Sequence, residues 1–285
     1  MTVGSFLSGR VKTEQIKDAG SARSRALRAR LRTPSCDAFA AGRADNRARG
    51  HGRLPAPAPA WYALALPAYV FAFLALDTQG QGLQLAIGAL TWVVLAAACV
   101  PLASEQRLRV GLVVVAATVG EITGSLLWGV YSYRLENLPA YIPPGHGLVY
   151  LSGLGLSVAL RRHTRLLVGA AAFVAAAWGV AGLGFLPRLD VAGAFGVPLL
   201  LFFLWRGRNR AVYAGVFAVV CALELYGTWL GVWTWHEALP GLGVPDGNPP
   251  SGVASGYVCF DVFAVAMAAR LSGWNPFRRL GVQRA

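Results

Sequence analysis

The sequence predicts an all-α fold: a polytopic membrane bundle of about eight transmembrane helices in two parallel-related four-helix repeats. Apolar residues make up 55% of the 285 residues. Charged residues make up only 14%, against about 25% in an ordinary soluble domain. The apolar residues fall into long runs, and two of these runs share a motif. This composition argues against a water-soluble enzyme, a disordered chain and a disulfide scaffold.

Eight apolar runs are bounded by charged residues, glycine or proline. Most approach the roughly 20 residues that a helix needs to cross the hydrocarbon core, and the fourth and sixth are the shortest. Helices are favoured over strands because the runs are continuous and because a lipid-exposed backbone must satisfy its own hydrogen bonds. The predicted spans are 61–77, 82–103, 110–131, 146–160, 166–186, 191–205, 211–233 and 252–271.

Arginine predicts the orientation of these spans. The loops after the second, fourth and sixth spans, together with the C-terminal end, carry most of the arginines beyond residue 53. The other loops hold only Arg134 and Arg188. Positive charge is typical of cytoplasmic loops, so we expect a multi-pass plasma-membrane protein with both termini in the cytoplasm.

Residues 1–53 carry twelve Lys and Arg against four acids and contain no apolar core of a signal peptide. Three interpretations remain open: a disordered cytoplasmic tail, an amphipathic helix on anionic lipid headgroups, or an extension upstream of the true start. Specific nucleic-acid recognition is not expected. A Pro/Ala linker at 54–60 leads into the predicted repeats, 61–160 and 161–271, which a basic tail at 272–285 follows.

Four cysteines, Cys36, Cys99, Cys221 and Cys259, show no CxxC spacing. Three of them lie within apolar runs, where cysteine acts as a small hydrophobe. We therefore predict no metal and no disulfide. The sequence also contains no Walker loop, HExxH or dinucleotide-binding motif, so no cofactor is expected.

The third and seventh runs share a pattern: Glu-x-x-Gly, then Gly-Val-aromatic-Ser/Thr-aromatic, then Leu-Pro and a Pro-Pro pair. The pattern begins at Glu121 and at Glu224, and each Pro pair is predicted to open a helix. Four spans per copy give both copies the same topology. The halves are therefore expected to be related by a two-fold axis along the membrane normal.

Three acids lie deep within predicted spans, away from their ends: Glu121, Glu224 and Asp261. Residue counts at about 1.5 Å each place all three roughly 13–15 Å below the same membrane boundary. Carboxylates in the bilayer are costly and usually functional, so we predict a shared central site. The alternative is that each acid is a neutral packing residue that joins helices by hydrogen bonds.

Other residues are predicted to line this site as a substrate pocket. Gly124 and Gly227 follow each Glu at i+3, on the same helix face. Deep aromatic rings could face a developing cation, whereas Tyr133, Trp235 and Tyr141 are expected to form an interfacial belt. The predicted pocket residues are Gly124, Trp128, Tyr131, His146, Tyr226, Gly227, Trp229 and Trp233.

The stretch 121–150 resembles the carotenoid-biosynthesis membrane family that contains carotenoid 1,2-hydratases of the bacterioruberin and myxoxanthophyll pathways. The matching residues are Glu121, Gly124, Gly129, Tyr131, Tyr133, Pro139 and Pro143. The resemblance implies a membrane enzyme that adds water to the terminal alkene of a hydrophobic isoprenoid. Glu121 or Glu224 would then be the acid that protonates the alkene, and Asp261 the base that orients water.

Two other classes remain open. A proton-coupled secondary transporter of a small or lipophilic substrate could use the same acids. A non-catalytic membrane or lipid-binding subunit would instead pair each acid with backbone or hydroxyl groups, with no cavity between them.

Overall fold

The computed structural model describes residues 58–273. The predictions for segments 1–53 and 274–285, and for most of the linker, lie outside the described residues.

The described part of the chain is mostly helical, and each of its eight long helices coincides with one predicted apolar run. The helices are α1 (Tyr62–Asp77), α2 (Gln81–Cys99), α3 (Ser104–Glu121), α4 (Ile142–Ala159), α5 (Thr164–Gly182), α6 (Val191–Arg206), α7 (Arg210–Trp229) and α8 (Ala254–Gly273). A π-helical segment, Ile122–Trp128, continues α3, and a 3-10 turn, Arg161–His163, precedes α5.

Four of the described helical stretches are long and apolar enough to cross a membrane. They are Gly82–Cys99, Ser104–Trp128, Arg161–Gly182 and Arg210–Trp229. Three further apolar helices are shorter: Tyr62–Asp77, Val191–Arg206 and Ala254–Ala268. Many large apolar side chains on these helices are exposed, as expected of surfaces that face lipid.

The third and seventh runs end earlier than predicted, and each is followed by a short strand. Gly129 and Gly231 have φ of 73° and 68°, a left-handed conformation that glycine adopts without strain and that stops each helix. Strands β1 (Tyr131–Tyr133) and β2 (Trp233–Trp235) follow, so Tyr131 and Trp233 are not helical. An all-α fold is therefore not the whole description.

The two strands pair antiparallel into one two-stranded sheet, which we call the aromatic ribbon. Its register pairs Tyr131 with Trp235, Ser132 with Thr234 and Tyr133 with Trp233. Side chains alternate along a strand. The aromatic residues therefore share one face of the ribbon, and Ser132 and Thr234 share the other.

Helix α4 lies at the centre of the fold and packs against α1, α2, α3 and α7. Its contact with α7 requires glycine, because a Cβ on Gly215 would lie 2.6 Å from the carbonyl oxygen of Gly153. Pro143 and Pro144 lie in its first turn, as predicted. The second pair, Pro249 and Pro250, precedes α8 by several residues and does not open it.

A buried carboxylate organises the loops near β2. Asp190 caps α6 and accepts hydrogen bonds from the backbone N–H groups of Gly193, Gly247 and Ser251, at 2.7–3.0 Å. Arg188 donates to the carbonyl oxygen of Asp246. Burial, and next the negative charge of Asp190, raise the pKa of the Asp246 carboxyl to about 7.

Candidate functional site

A cavity of about 470 Å³ lies beside the aromatic ribbon and contains two of the predicted acids, Glu121 and Glu224. Its walls come from α3 with the π segment, α4, α7, α8 and both strands. Most of its lining is apolar or aromatic. The residues with polar side-chain atoms are Glu121, Thr123, Trp128, Tyr131, Tyr133, His146, Glu224, Trp233, Trp235 and Tyr257.

Both oxygens of the Glu121 side chain lie close to polar groups, but only Oε2 accepts hydrogen bonds. Oε2 accepts hydrogen bonds from the hydroxyls of Tyr131 at 2.5 Å and Tyr133 at 2.6 Å. Oε1 lies 3.0 Å from Nε2 of His146. The other imidazole nitrogen, Nδ1, lies 2.7 Å from the hydroxyl of Tyr257. A chain of polar groups therefore runs from α3 through α4 to α8.

Glu224 is held differently. Its Oε2 accepts hydrogen bonds from the indole N–H groups of Trp233 at 2.9 Å and Trp235 at 3.2 Å. Its Oε1 makes no hydrogen bond to any described residue, and it is not among the buried unpartnered atoms. Because Glu224 lines the cavity, this free oxygen faces the cavity space.

The two motifs have the same local architecture. The carbonyl oxygen of Gly124 accepts the N–H of Val130 at 2.8 Å, and that of Gly227 accepts the N–H of Val232 at 2.9 Å. Each of these hydrogen bonds closes the helix end and turns the following strand back toward the glutamate of the same motif. The two tyrosines of the first motif reach Glu121, 10 and 12 residues earlier. The two tryptophans of the second reach Glu224, 9 and 11 residues earlier.

Glycine at i+3 makes room for these aromatic rings. A Cβ on Gly124 would lie 3.1 Å from the ring of Tyr131, and a Cβ on Gly227 would overlap the ring of Trp233. Both glycines therefore allow a close approach, and an aromatic side chain of the same motif makes it. Gly124 lines the cavity, whereas Gly227 lies behind Trp233 and does not.

The tyrosine hydroxyls act as donors to Glu121. Burial, and next the negative charge of Glu121, raise the pKa of Tyr131 and Tyr133, so both hydroxyls stay protonated. No lysine or arginine lines the cavity within residues 58–273. The basic side chain in the described lining is the imidazole of His146.

Seven predicted site residues lie together in this cavity. They are Glu121, Gly124, Trp128, Tyr131, His146, Glu224 and Trp233.

Asp261 lies elsewhere, and the prediction of one site for three acids is wrong for it. Its carboxylate accepts hydrogen bonds from the hydroxyl of Tyr150 at 2.7 Å and from the amide of Asn209 at 3.1 Å. Asn209 precedes α7, fifteen residues before Glu224, which is about 22 Å along the helix axis. Residue counting gives a depth along one helix, but it does not give the helix tilt or the neighbours of each face.

Two predicted aromatic residues also point away from the cavity. Tyr226 packs its ring 5.0 Å from that of Phe71, and Trp229 is 77% exposed. At 100° per residue, positions two and five after Glu224 lie about 160° and 140° away from it around the helix. The helical period therefore explains why neither ring reaches the acid.

Of the lining residues that the sequence prediction did not include, four are aromatic: Tyr133, Trp235, Tyr257 and Phe260. Tyr133 and Trp235 were assigned to an interfacial belt, yet they donate to Glu121 and Glu224. Both occupy the last aromatic position of the repeated motif, and this shared position could have indicated a shared role beside the acids. Tyr257 and Phe260 of α8 carried no such signal, because they belong to an ordinary apolar run.

The cavity opens beside the π segment, where its lining residues Thr123 and Trp128 are exposed. A π-helix widens the turn and is frequent at functional sites. The indole N–H of Trp128 donates to the carbonyl oxygen of Pro240 at 3.0 Å, which ties this rim to the loop after β2.

No family model, curated protein or solved structure matches this chain. The fold and the site define a class: a helical protein with four candidate membrane-spanning helices and a largely apolar cavity that holds two carboxylates.

Proposed function

We propose that the chain is an integral membrane protein of eight spans in two repeats, and that its cavity adds water to the terminal alkene of an isoprenoid chain. The single observation that carries this proposal is the meeting of Glu121 and Glu224 in one cavity with unequal hydrogen bonding. One oxygen of Glu121 accepts two tyrosine hydroxyls and the other lies 3.0 Å from an imidazole nitrogen. Glu224 has one oxygen held by two indole N–H groups and one that accepts from no described residue and faces an apolar space.

The ribbon register supports the repeat. In the motif, Tyr131 corresponds to Trp233 and Tyr133 to Trp235. The sheet pairs Tyr131 with Trp235 and Tyr133 with Trp233, which is the reciprocal pairing that a two-fold axis requires. The backbone hydrogen bonds at the ends of the ribbon are reciprocal in the same way. The N–H of Arg134 donates to the carbonyl oxygen of Val232, and the N–H of His236 donates to that of Val130.

Loop contacts support the predicted topology. Arg134, which follows β1, donates to Asp77 at the end of α1, and Arg188, which follows α5, donates to the backbone of His236 after β2. The loop after the third span therefore contacts the end of the first, and the loop after the fifth contacts the loop after the seventh. In an eight-span arrangement, all four lie on the same side of the membrane. Helices α1, α6 and α8 would cross the membrane as shorter apolar helices. Helix α4 belongs to neither group and would be the eighth span, at the centre of the bundle.

The reaction begins with proton transfer. Glu224, protonated on Oε1, donates its proton to the less substituted carbon of a terminal trisubstituted alkene, and the π electrons form the new C–H bond. The remaining carbon becomes a tertiary carbocation. The two indole N–H groups on Oε2 stabilise the carboxylate that forms.

The aromatic ribbon suits the cation that follows. The rings of Tyr131 and Trp235 lie 4.4 Å apart on the face that lines the cavity, and Trp233 lies beside them. Aromatic faces attract a cation, most strongly in a site without water. No basic side chain other than His146 is present in the described lining to oppose it.

Water then adds to the cation through its oxygen, and the protonated alcohol that forms loses one of its two O–H protons. The Glu121–His146 pair is placed to accept this proton, and Tyr257 fixes the imidazole by its bond to Nδ1. The pair thus replaces Asp261 as the proposed base. Return of the proton to Glu224 completes the cycle, so the net reaction is the addition of one water molecule.

A pigment assay tests this function. In a lycopene-producing host, the wild-type chain should yield a hydroxylated product, and Glu224→Gln should lower its formation at least about 100-fold, the usual contribution of a general acid. Glu105→Gln is the matched control, because Glu105 lies on α3 and is exposed to solvent. Loss of product in Glu224→Gln alone supports the proposal.

Unchanged pigment in cells that contain the wild-type protein would overturn it. Proton-dependent uptake of a lipophilic substrate into vesicles, without chemical change, would favour the transporter class instead.

A further inference from the structure

A second, polar pocket lies behind the aromatic ribbon. It has a volume of about 210 Å³ and is lined by Ser125, Leu126, Ser132, Tyr133, Glu136 and Asn137. Five of these six residues carry a polar group on the side chain. Its lining therefore differs in kind from the apolar cavity that holds the two acids.

The ribbon separates the two spaces. Tyr131 and Tyr133 project toward the cavity, and Ser132 lies between them on the opposite face of β1. Tyr133 lines both the cavity and the polar pocket, and its hydroxyl donates to Glu121. One tyrosine side chain therefore stands between the polar pocket and the acid.

A second connection runs through the helix. The Ser125 hydroxyl donates to the backbone carbonyl of Glu121 at 2.7 Å. Its remaining lone pairs can accept a hydrogen bond. The polar pocket thus abuts Glu121 both through the backbone and through Tyr133.

One lining residue, Asn137, has a buried acceptor without a partner among the described residues. Asn137 donates from Nδ2 to Gln84 at 2.8 Å, whereas its Oδ1 is buried and has no partner among the described residues. Buried polar atoms in proteins nearly always have a partner, either a protein group or an ordered water molecule. At about 30 Å³ for each water molecule, the pocket has room for several.

We propose that this polar pocket is a water site, and that it supplies the water molecule that adds to the substrate. The inference rests on the proposed function. The isoprenoid enters at the rim beside Thr123 and Trp128, and water enters from behind Tyr133. Each reactant then reaches the cavity through walls that match its polarity.

Radiolytic hydroxyl-radical footprinting of the full-length protein in membranes tests for the water directly, because it oxidises side chains beside bound water. Tyr133 should be oxidised at least about tenfold faster than Tyr131, although both are buried. Tyr131 is a suitable reference, since its hydroxyl donates to the same Glu121 oxygen and it lines the cavity but not the polar pocket. Equal, low oxidation of the two tyrosines would overturn the inference.

The Ser132→Val variant tests the route. Valine is favoured in strands, so β1 should form. The apolar side chain should lower kcat for hydration about tenfold and leave KM for the alkene unchanged. Thr234→Val is the matched control: Thr234 pairs with Ser132 on the same face but does not line the pocket.

The two proposals fail differently. Wild-type kcat in Ser132→Val would overturn the water route even if the enzyme is a hydratase. Oxidised Tyr133 in a protein that makes no hydrated product would support the water site and contradict the proposed reaction.

Discussion

Tyr131 and Trp235 lie opposite each other in the aromatic ribbon, with ring centroids 4.4 Å apart, yet they donate to different acids. Tyr131 donates to Glu121 and Trp235 to Glu224. The pair therefore joins the two motifs, and the strand register determines where both carboxylates lie.

The indole donors to Glu224 should be needed for activity. Trp235→Phe keeps an aromatic ring but removes the pyrrole part of the indole, and with it the N–H that stabilises the carboxylate. Hydration should therefore fall at least about tenfold, the value of a charged hydrogen bond of roughly 1.5 kcal/mol. Trp229→Phe is the control, because Trp229 is exposed and does not line the cavity. The measurement is product formation per protein molecule. Equal activity of the two variants would contradict the assigned role of Trp235.

His146 and Tyr257 should act as a unit. His146→Gln and Tyr257→Phe should each lower hydration, and the double variant should lose little more than the worse single variant. The reason is that Tyr257 acts on the reaction only by orienting His146 through their 2.7 Å hydrogen bond, so either substitution removes the same interaction. A double-mutant cycle on kcat measures this coupling. Fully additive losses would show that Tyr257 does not position the imidazole.

Gly227 should tolerate no side chain. In Gly227→Ala, the new Cβ would overlap the Trp233 ring, which must move and release its bond to Glu224. Overpacking of this kind costs about 1–3 kcal/mol. Thermal unfolding in detergent measures the loss, with Gly169→Ala as control because nothing lies within 4 Å of its Cβ position. A Gly227→Ala protein as stable as the control would be inconsistent with the close approach.

Asp246 should make stability depend on pH. Burial and the charge of Asp190 raise its pKa to about 7, above its usual value near 4. The folded state therefore binds the proton more tightly than the unfolded state. Its contribution is complete below pH 4 and is lost as pH rises through about 7.

The variant Asp246→Asn removes this dependence. Its melting temperature relative to wild type should rise between pH 5 and pH 8, because the buried negative charge beside Asp190 is gone. A constant difference across this range would show that Asp246 does not titrate in the folded protein.

The sequence predicted the helices well because long apolar runs need no tertiary information. It also predicted that Glu121 and Glu224 belong together, since both begin the same motif. It missed the strands because three residues are too few to distinguish the alternation of a strand from the end of an apolar helical run, although both copies read aromatic-Ser/Thr-aromatic. Asp261 and Trp229 were misplaced because hydropathy gives the depth of a residue but not the direction in which its side chain points.

Binding of a cation analogue tests the central claim most directly, namely that Glu121 and Glu224 meet at one reactive centre. The probe is an isoprenoid chain that ends in a protonated tertiary amine, which mimics the carbocation. Its Kd for the full-length protein should rise at least about tenfold in Glu121→Gln and in Glu224→Gln, and should not change in Glu105→Gln. Wild-type affinity in either cavity variant would contradict a shared site.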